Sequence, residues 1–119
     1  MQVGEYPTFV AGAALPPYVR VKLVGGQLQL ASNTEAELGT TLSRAYAVGD
    51  LVAVLPREQA VVRKCVASAA FAQFAPLFAA VNGKVAAAGT LPRGVALEAA
   101  SGDGAIVSVL SSQSATVAS

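Results

Sequence analysis

The sequence predicts a mainly β fold, a small pseudo-symmetric β-barrel or sandwich of two similar halves that each contain a hairpin. An extended N-terminal arm and at most one short helical turn complete the prediction. Three observations support it: runs in which apolar and polar residues alternate, glycine-containing dipeptides between those runs, and a pattern that recurs after 55 residues. A chain of 119 residues fits one domain and is too short for two conventional ones.

The first 17 residues are predicted to form the extended arm. They contain three prolines, at positions 7, 16 and 17, and their apolar residues follow neither a helical nor a strand period. Proline fixes φ and lacks a backbone donor, so such a segment favours extended chain over regular structure. We therefore expect an arm over residues 1–17, followed by a single β domain over residues 18–110.

The first half of that domain begins with a hairpin in the segment "YVRVKLVGGQLQLAS", residues 18–32. Apolar residues alternate with polar ones on both sides of Gly25-Gly26, and these glycines supply the positive φ that a two-residue turn needs. A strand candidate over residues 39–47 then leads through Gly49-Asp50 to "LVAVL", which Pro56 ends. The first half-repeat therefore spans about residues 18–55.

The middle of the chain combines a strand candidate with an aromatic segment. "AVVRKCV", residues 60–66, has strand character, in which Arg63-Lys64 is interpreted as a solvated strand end and Cys65 as a small core or interface residue. Phe71, Phe74 and Phe78 follow a helical spacing that Pro76 interrupts. A single helical turn or an apolar loop is therefore predicted here.

The second half repeats the β pattern. Asn82-Gly83 is the dipeptide typical of a type I′ hairpin turn. "RGVALEAA" and "AIVSVL" then predict the last two strands, so the second half-repeat spans about residues 77–110. Residues 111–119 are polar or small and are predicted to be a flexible tail.

An internal repeat links the two halves. The pattern GxxLxxAxxxGx[LI]VxVL begins at Gly39 and again at Gly94, 55 residues later. Two β units that are each too small to bury a face would pair into a closed or nearly closed barrel, which also limits exposed strand edges. We expect Gly39 and Gly94 to lie where a strand bends or where another backbone approaches closely.

The composition argues against most catalytic chemistry. The chain has no histidine and one cysteine, which excludes histidine-based catalysis, common zinc sites and an intrachain disulfide. Asp50 and Asp103 are interpreted as turn residues, with a carboxylate pair for acid–base or metal chemistry as the alternative. The glycines form no phosphate-binding loop. We therefore expect neither an enzyme nor a cofactor or metal site.

Charge and hydropathy limit the partners. The net charge is +1 and the cations are scattered, which argues against nucleic-acid binding. The uncharged run between Lys64 and Lys84 approaches the length of a membrane span, but it is rich in alanine and interrupted by Gln73 and Pro76, so no membrane helix is expected. The N-terminus lacks the features of a signal peptide. Charged residues make up only 13% of the chain, which favours a protein that functions in an assembly.

Several blocks resemble the small capsid decoration, or cement, proteins of tailed bacteriophages. They are "AGAALPPYVRVKL", "AVGDLVAVL" and above all "RGVALEAASGDGAIVSVL", and the resemblance runs from about Phe9 to Leu110. It implies a barrel-like domain on the outer surface of the virion head, which binds the major capsid protein and is often a trimer. One departure is Phe74-Ala75, which stands where the family pattern leads us to expect a Gly-Asp turn.

The resemblance also suggests contact residues. We expect the arm, with Tyr6, Phe9, Leu15 and Tyr18, to contact neighbouring capsid subunits, because aromatic and large apolar side chains are typical interface anchors. The three phenylalanines of the middle segment pack either in the core or between protomers: Phe71, Phe74, Phe78.

A carrier or adaptor domain is the alternative function. Pseudo-symmetric halves and "GDLVAVL" also resemble the flattened barrels that carry biotin or lipoate on a hairpin lysine. Lys84 follows the Asn82-Gly83 turn, but the usual M-K-M or D-K-A surroundings are missing. Its plain interpretation is a solvated turn residue.

Overall fold

A computed structural model of the chain describes residues 6–35, 37–56 and 62–111, so most of the predicted tail lies outside the described residues. Within these residues the fold is mainly β, as the sequence predicts, and contains one 3₁₀ turn at Val81–Gly83. The ten strands are β1 Thr8–Ala11, β2 Arg20–Val24, β3 Gln27–Leu30, β4 Gly39–Thr41, β5 Leu51–Pro56, β6 Val62–Val66, β7 Pro76–Ala79, β8 Val85–Ala86, β9 Pro92–Ala96 and β10 Ile106–Ser111.

Each half contains five strands with the same connectivity. In the first half the strands close a barrel in the order β1-β3-β2-β4-β5, because β1 pairs antiparallel with β5 and parallel with β3. In the second half the order is β6-β10-β9-β7-β8, and a single parallel bridge between Ala67 and Val85 joins the two edges. The second sheet is therefore a nearly closed copy of the first barrel.

Backbone contacts outside the strands repeat as well. Leu15 forms an isolated bridge with Ala45, and Phe71 forms the equivalent bridge with Ala100. Tyr18 and Phe74 are both non-glycine residues with positive φ, 67° and 68°. The offset between equivalent residues is 56 at β1 and β2, 57 at β3 and 55 at β4 and β5. One extra residue in the second hairpin explains the change from 56 to 57.

The predicted boundaries of the arm and of the halves differ from the structure. The prediction of an arm over residues 1–17 is wrong from Thr8 onwards, because β1 fills the gap between β3 and β5 and completes the barrel. β6 has the same place in the second half, next to β10. The structural repeats therefore span residues 8–56 and 62–111, rather than 18–55 and 77–110. Irregular spacing of apolar residues concealed β1, since only four residues pair and prolines follow them.

The core consists of two clusters of small side chains, one in each half. The first cluster is Ala11, Leu15, Val19, Val21, Leu28, Ala45, Val52, Val54 and Val66. The second is Cys65, Ala67, Phe71, Leu77, Val85, Ala96, Ala100, Val107 and Val109. Val66 belongs to β6 yet packs in the first cluster, whereas its neighbour Cys65 faces the second. Alternation along β6 thus places one strand in contact with both cores.

The aromatic segment in the middle does not form the helical turn that its spacing suggests. Phe71 lies in the bridge to Ala100, Phe74 lies in a turn, and Phe78 belongs to β7, which Pro76 begins. Among the described residues the 3₁₀ turn lies instead at Val81–Gly83, where φ is 58° at Asn82 and 72° at Gly83. Positive φ at both residues is the requirement of a type I′ hairpin turn, as the dipeptide predicts.

The two repeat glycines lie where backbones approach closely, as expected. A Cβ atom at Gly39 would collide with the carbonyl oxygen of Leu55, and one at Gly94 would collide with that of Leu110. Both glycines start the strand pairing that continues along β5 and β10. A side chain here would force neighbouring strands apart.

We therefore expect Gly39→Ala to lower the free energy of unfolding by about 1–3 kcal/mol, the usual range for overpacking. Gly102→Ala is the matched control, because nothing among the described residues lies within 4 Å of its Cβ position. The control should change stability by less than about 0.5 kcal/mol. Urea denaturation of the three proteins checks this, and equal effects of the two substitutions would contradict the close approach.

Candidate functional site

The four predicted arm contacts lie in different environments. Tyr6 is 40% exposed and is available to a partner. Phe9 and Tyr18 are half-buried against the first core cluster. Leu15 is a member of that cluster with 1% of its surface exposed, so its prediction as a capsid contact needs correction. Its backbone pairs with Ala45, which turns the side chain into the barrel.

The three phenylalanines also separate. Phe71 is part of the second core cluster, in agreement with the core alternative for this residue. Phe78 is half-buried on β7, beside Gly89. Phe74 is 66% exposed in the turn that precedes Ala75. Among the three, Phe74 is the one that presents a ring to solvent.

A second exposed aromatic group lies on the loop between β4 and β5. The Tyr46 side chain is 80% exposed, and the Arg44 guanidinium lies 5.9 Å from its ring centroid, within range of a cation–π contact. The Asp50 carboxylate fixes the loop because it accepts hydrogen bonds from the Tyr46 and Ala47 backbone nitrogens at 2.8 and 3.1 Å. Val48 is 63% exposed on the same loop.

This loop faces the segment that links β1 to β2, and the two form one end of the first barrel. A shallow groove of about 260 Å³ lies between them, lined by Ala14, Leu15, Pro16, Arg44, Ala45 and Tyr46. Sequence reasoning missed Tyr46. The only available signal was an aromatic residue in a polar, turn-forming segment, "SRAYAVGD".

The candidate carboxylates and the candidate lysine have structural partners. Asp50 caps its own loop, whereas Asp103 forms an ion pair with Lys84 at 2.8 Å. The two aspartates therefore hold different groups and are not paired with each other. Lys84 is half-buried beside the turn and its backbone carbonyl accepts a hydrogen bond from Arg20. This geometry gives no support to a projecting carrier lysine.

A buried cluster of charges occupies the contact between the two halves. It contains Arg20 and Glu37 from the first half and Arg63 and Arg93 from the second. Glu37 Oε1 lies 3.6 Å from Arg20 Nη1 and 3.2 Å from Arg93 Nη1. The exposed fractions of these side chains are 4% for Glu37, 2% for Arg20 and 9% for Arg93.

Two of these arginines bind backbone carbonyls of the opposite half. Arg20 donates to the carbonyl oxygens of Lys84 and Ala80, and also to Ser32 O in its own half. Arg63 donates to Leu55 O at 3.2 Å and to Pro56 O at 2.8 Å, as well as to the Thr40 hydroxyl. Arg20 therefore joins β2 to the turn between β7 and β8, and Arg63 joins β6 to β4 and β5.

The cluster holds three positive charges and one negative charge away from water. Burial lowers the pKa of Arg20, although the Glu37 carboxylate opposes this shift. Burial also lowers the pKa of Arg63. The cavity between these groups measures about 10 Å³, close to the space of a single water molecule. Its size fits a structural tie between the halves and not an organic ligand.

The interpretation of Arg63 as a solvated strand end is wrong. Arg63 is buried and its neighbour Lys64 is exposed, since successive side chains of β6 point to opposite faces. Arg20 is one of the polar residues that alternate with apolar ones in the first hairpin, and such a position usually lies on the outward, solvent-facing side of a strand. In the structure that outward face is covered by the second half, which the alternation in one strand cannot reveal.

No protein-family model matches the chain, and no curated protein matches it significantly. Within residues 6–35, 37–56 and 62–111, no helix is long and apolar enough to cross a membrane. In the same part of the chain, no group of three or more Cys, Asp or Glu side chains is placed to hold a metal ion.

Replacement of the single carboxylate tests the charge cluster. Glu37→Gln should lower the free energy of unfolding by about 3–5 kcal/mol, because it leaves three buried guanidiniums without a counter-ion. Glu98→Gln is the control, since Glu98 is exposed and its amide analogue can still accept the hydrogen bond from Ser108 N. Chemical denaturation checks both proteins. If Glu37→Gln left the free energy of unfolding unchanged, Glu37 would not be the residue that stabilises the charge cluster.

Cys65 provides a test of the second core. Burial raises the pKa of its thiol to about 12, so almost no thiolate exists at pH 8. We expect the folded protein to resist a thiol reagent at pH 8 and the urea-unfolded protein to react at once. Fast labelling under native conditions would show that the second, nearly closed barrel opens readily.

Proposed function

We propose that this chain is a decoration, or cement, protein of a tailed bacteriophage. It binds the outer surface of the assembled head through the major capsid protein and stabilises the shell by bridging capsid subunits, most favourably as a trimer. The sequence blocks that resemble this family motivate the proposal. The duplicated barrel architecture is compatible with the barrel-like domain that the resemblance implies.

The observation that carries the proposal furthest is the number of large apolar side chains at the surface. Charged residues make up only 13% of the chain, so few ionic groups surround these apolar side chains. Contiguous apolar surface marks protein-binding sites, and two of these side chains, Tyr46 and Val48, project from one loop. Twelve such residues are exposed among those that the structure describes: Tyr6, Leu23, Val24, Leu38, Tyr46, Val48, Leu51, Val62, Phe74, Val81, Ile106 and Leu110.

The end of the first barrel that carries Tyr46 is the best candidate for the capsid contact. Tyr46 and Val48 project from a loop that Asp50 fixes, so little conformational entropy is lost when they bind. Tyrosine and arginine are the residue types that dominate binding energy at protein interfaces, and Arg44 lies against the Tyr46 ring. Tyr6 offers a further contact before β1.

Stabilisation of the shell follows from selective binding. A protein that binds the assembled lattice and not its free subunits adds its binding free energy to the assembled state. No chemical step is needed for this role. The rigid barrels serve to present the contact residues in a fixed geometry.

Co-sedimentation with heads of the encoding phage tests the function. The chain should bind mature heads and raise the temperature at which they disrupt, and it should bind immature heads less or not at all. Failure to bind either form would overturn the proposal.

The contact residues are tested by Tyr46→Ala. Loss of a central anchor costs about 2 kcal/mol or more, so binding to heads should weaken roughly thirtyfold. Ile106→Ser is the matched control, because Ile106 is a half-exposed apolar residue on the second half. Equal binding by both variants would show that the capsid contact lies outside this loop. Tyr6→Ala would then test the segment before β1.

A further inference from the structure

The contact between the two halves is directional. If the halves met about a two-fold axis, each contact would occur twice, once with the roles of the halves exchanged. Gly83 of the second half fits against the first: its nitrogen donates to Ala31 O at 2.8 Å, and a Cβ there would collide with Arg20 O. The equivalent Gly26 has no atom of the described residues within 4 Å of its Cβ position. The Gly83 contact is therefore made once.

Arg63 shows the same asymmetry. It binds the carbonyl oxygen of Leu55, a buried residue on the outward-facing row of β5. The repeat equivalent of Arg63 is Pro7, and that of Leu55 is Leu110. Pro7 is exposed and Leu110 is 40% exposed, so this pair makes no corresponding contact in the chain. The halves are joined head to tail.

A head-to-tail contact leaves one unused surface on each half. The second half contacts the first through one of its surfaces, and the same surface on the first half is unused. We call this unused surface face A; it contains Pro7, Val24, Gly26 and Leu38. Likewise, the surface through which the first half contacts the second has an unused equivalent on the second half. We call this surface face B; it contains Pro76, Pro92 and Leu110. All of these residues are exposed except Pro92, which is half-buried.

The side chains on the two unused faces differ from those of the contact within the chain in one consistent way. The four charged residues of the buried cluster are replaced at equivalent positions by apolar ones. Arg20 and Glu37 correspond to Pro76 and Pro92 on face B, and Arg63 and Arg93 correspond to Pro7 and Leu38 on face A. At these four positions a contact between face A and face B buries no charge.

We propose that face A of one copy binds face B of a second copy of this chain, so that the contact between the halves is repeated between molecules. Such a contact uses different surfaces on the two partners, and its repetition produces a closed ring when the rotation per copy divides a full turn. Four halves already follow one another in a dimer, and every added copy leaves the same two faces free until the ring closes.

Complementation between two variants tests this proposal. Leu38→Glu disables face A and Leu110→Glu disables face B; both side chains are exposed, so both variants should fold, which circular dichroism checks. The purified wild-type chain should sediment as a discrete oligomer. Each variant alone should have the mass of one chain, 11.9 kDa. An equimolar mixture should form a dimer of twice that mass, because each variant supplies the face that the other lacks.

The control is Val48→Glu, which introduces the same charge at an exposed position outside both faces and should assemble as the wild type does. A monomeric wild-type chain, an assembled single variant, or a mixture that remains monomeric would each overturn the proposal. No capsid enters this experiment, so its failure is distinct from a failure of the decoration function. Val48→Glu in turn should assemble normally and yet bind heads poorly.

Discussion

The fold depends on the burial of one carboxylate among three guanidinium groups. Neither half has a large core, because alanine and valine dominate both clusters. Glu37 contacts one arginine from each half, and Arg20 and Arg63 extend across the contact to backbone carbonyls of the opposite barrel. Breaking one member of such a cluster is costly, since the remaining charges stay buried. The charge cluster therefore links the two units through contacts that have a fixed direction, in addition to the packing of small apolar side chains.

The repeat and the hairpins could be predicted from sequence because they depend on local requirements. Gly25-Gly26 and Asn82-Gly83 satisfy the positive φ of tight turns, and Gly39 and Gly94 are required by a close backbone approach. β1 could not be predicted, since four residues with irregular apolar spacing become a strand only when β3 and β5 lie on either side. The phenylalanine spacing failed for the related reason that bridges and a turn, rather than a helix, separate those residues.

The candidate site was less predictable than the fold. Arg20 and Lys22 occupy similar places in an alternating strand, yet Arg20 is buried and Lys22 is half-buried in an ion pair with Glu35. What separates them is the position of the second half, a tertiary fact that no local pattern encodes. The exposure of Tyr46 could not be predicted, because it depends on which loops project from the folded barrel. The duplicated backbone thus carries two different side-chain patterns, charged and buried in one place, apolar and exposed in the equivalent place.

The unequal closure of the two barrels affects how the molecule holds together. The first barrel is closed by two residue pairs between β1 and β3, whereas in the second half Ala67 and Val85 form an isolated bridge. Arg20 binds the carbonyl oxygens on either side of the 3₁₀ turn, next to that seam. The first half therefore stabilises the closure of the second. If the two halves were separated, the first would keep its closed barrel. The second would lose Arg20, the residue that binds beside its isolated closing bridge.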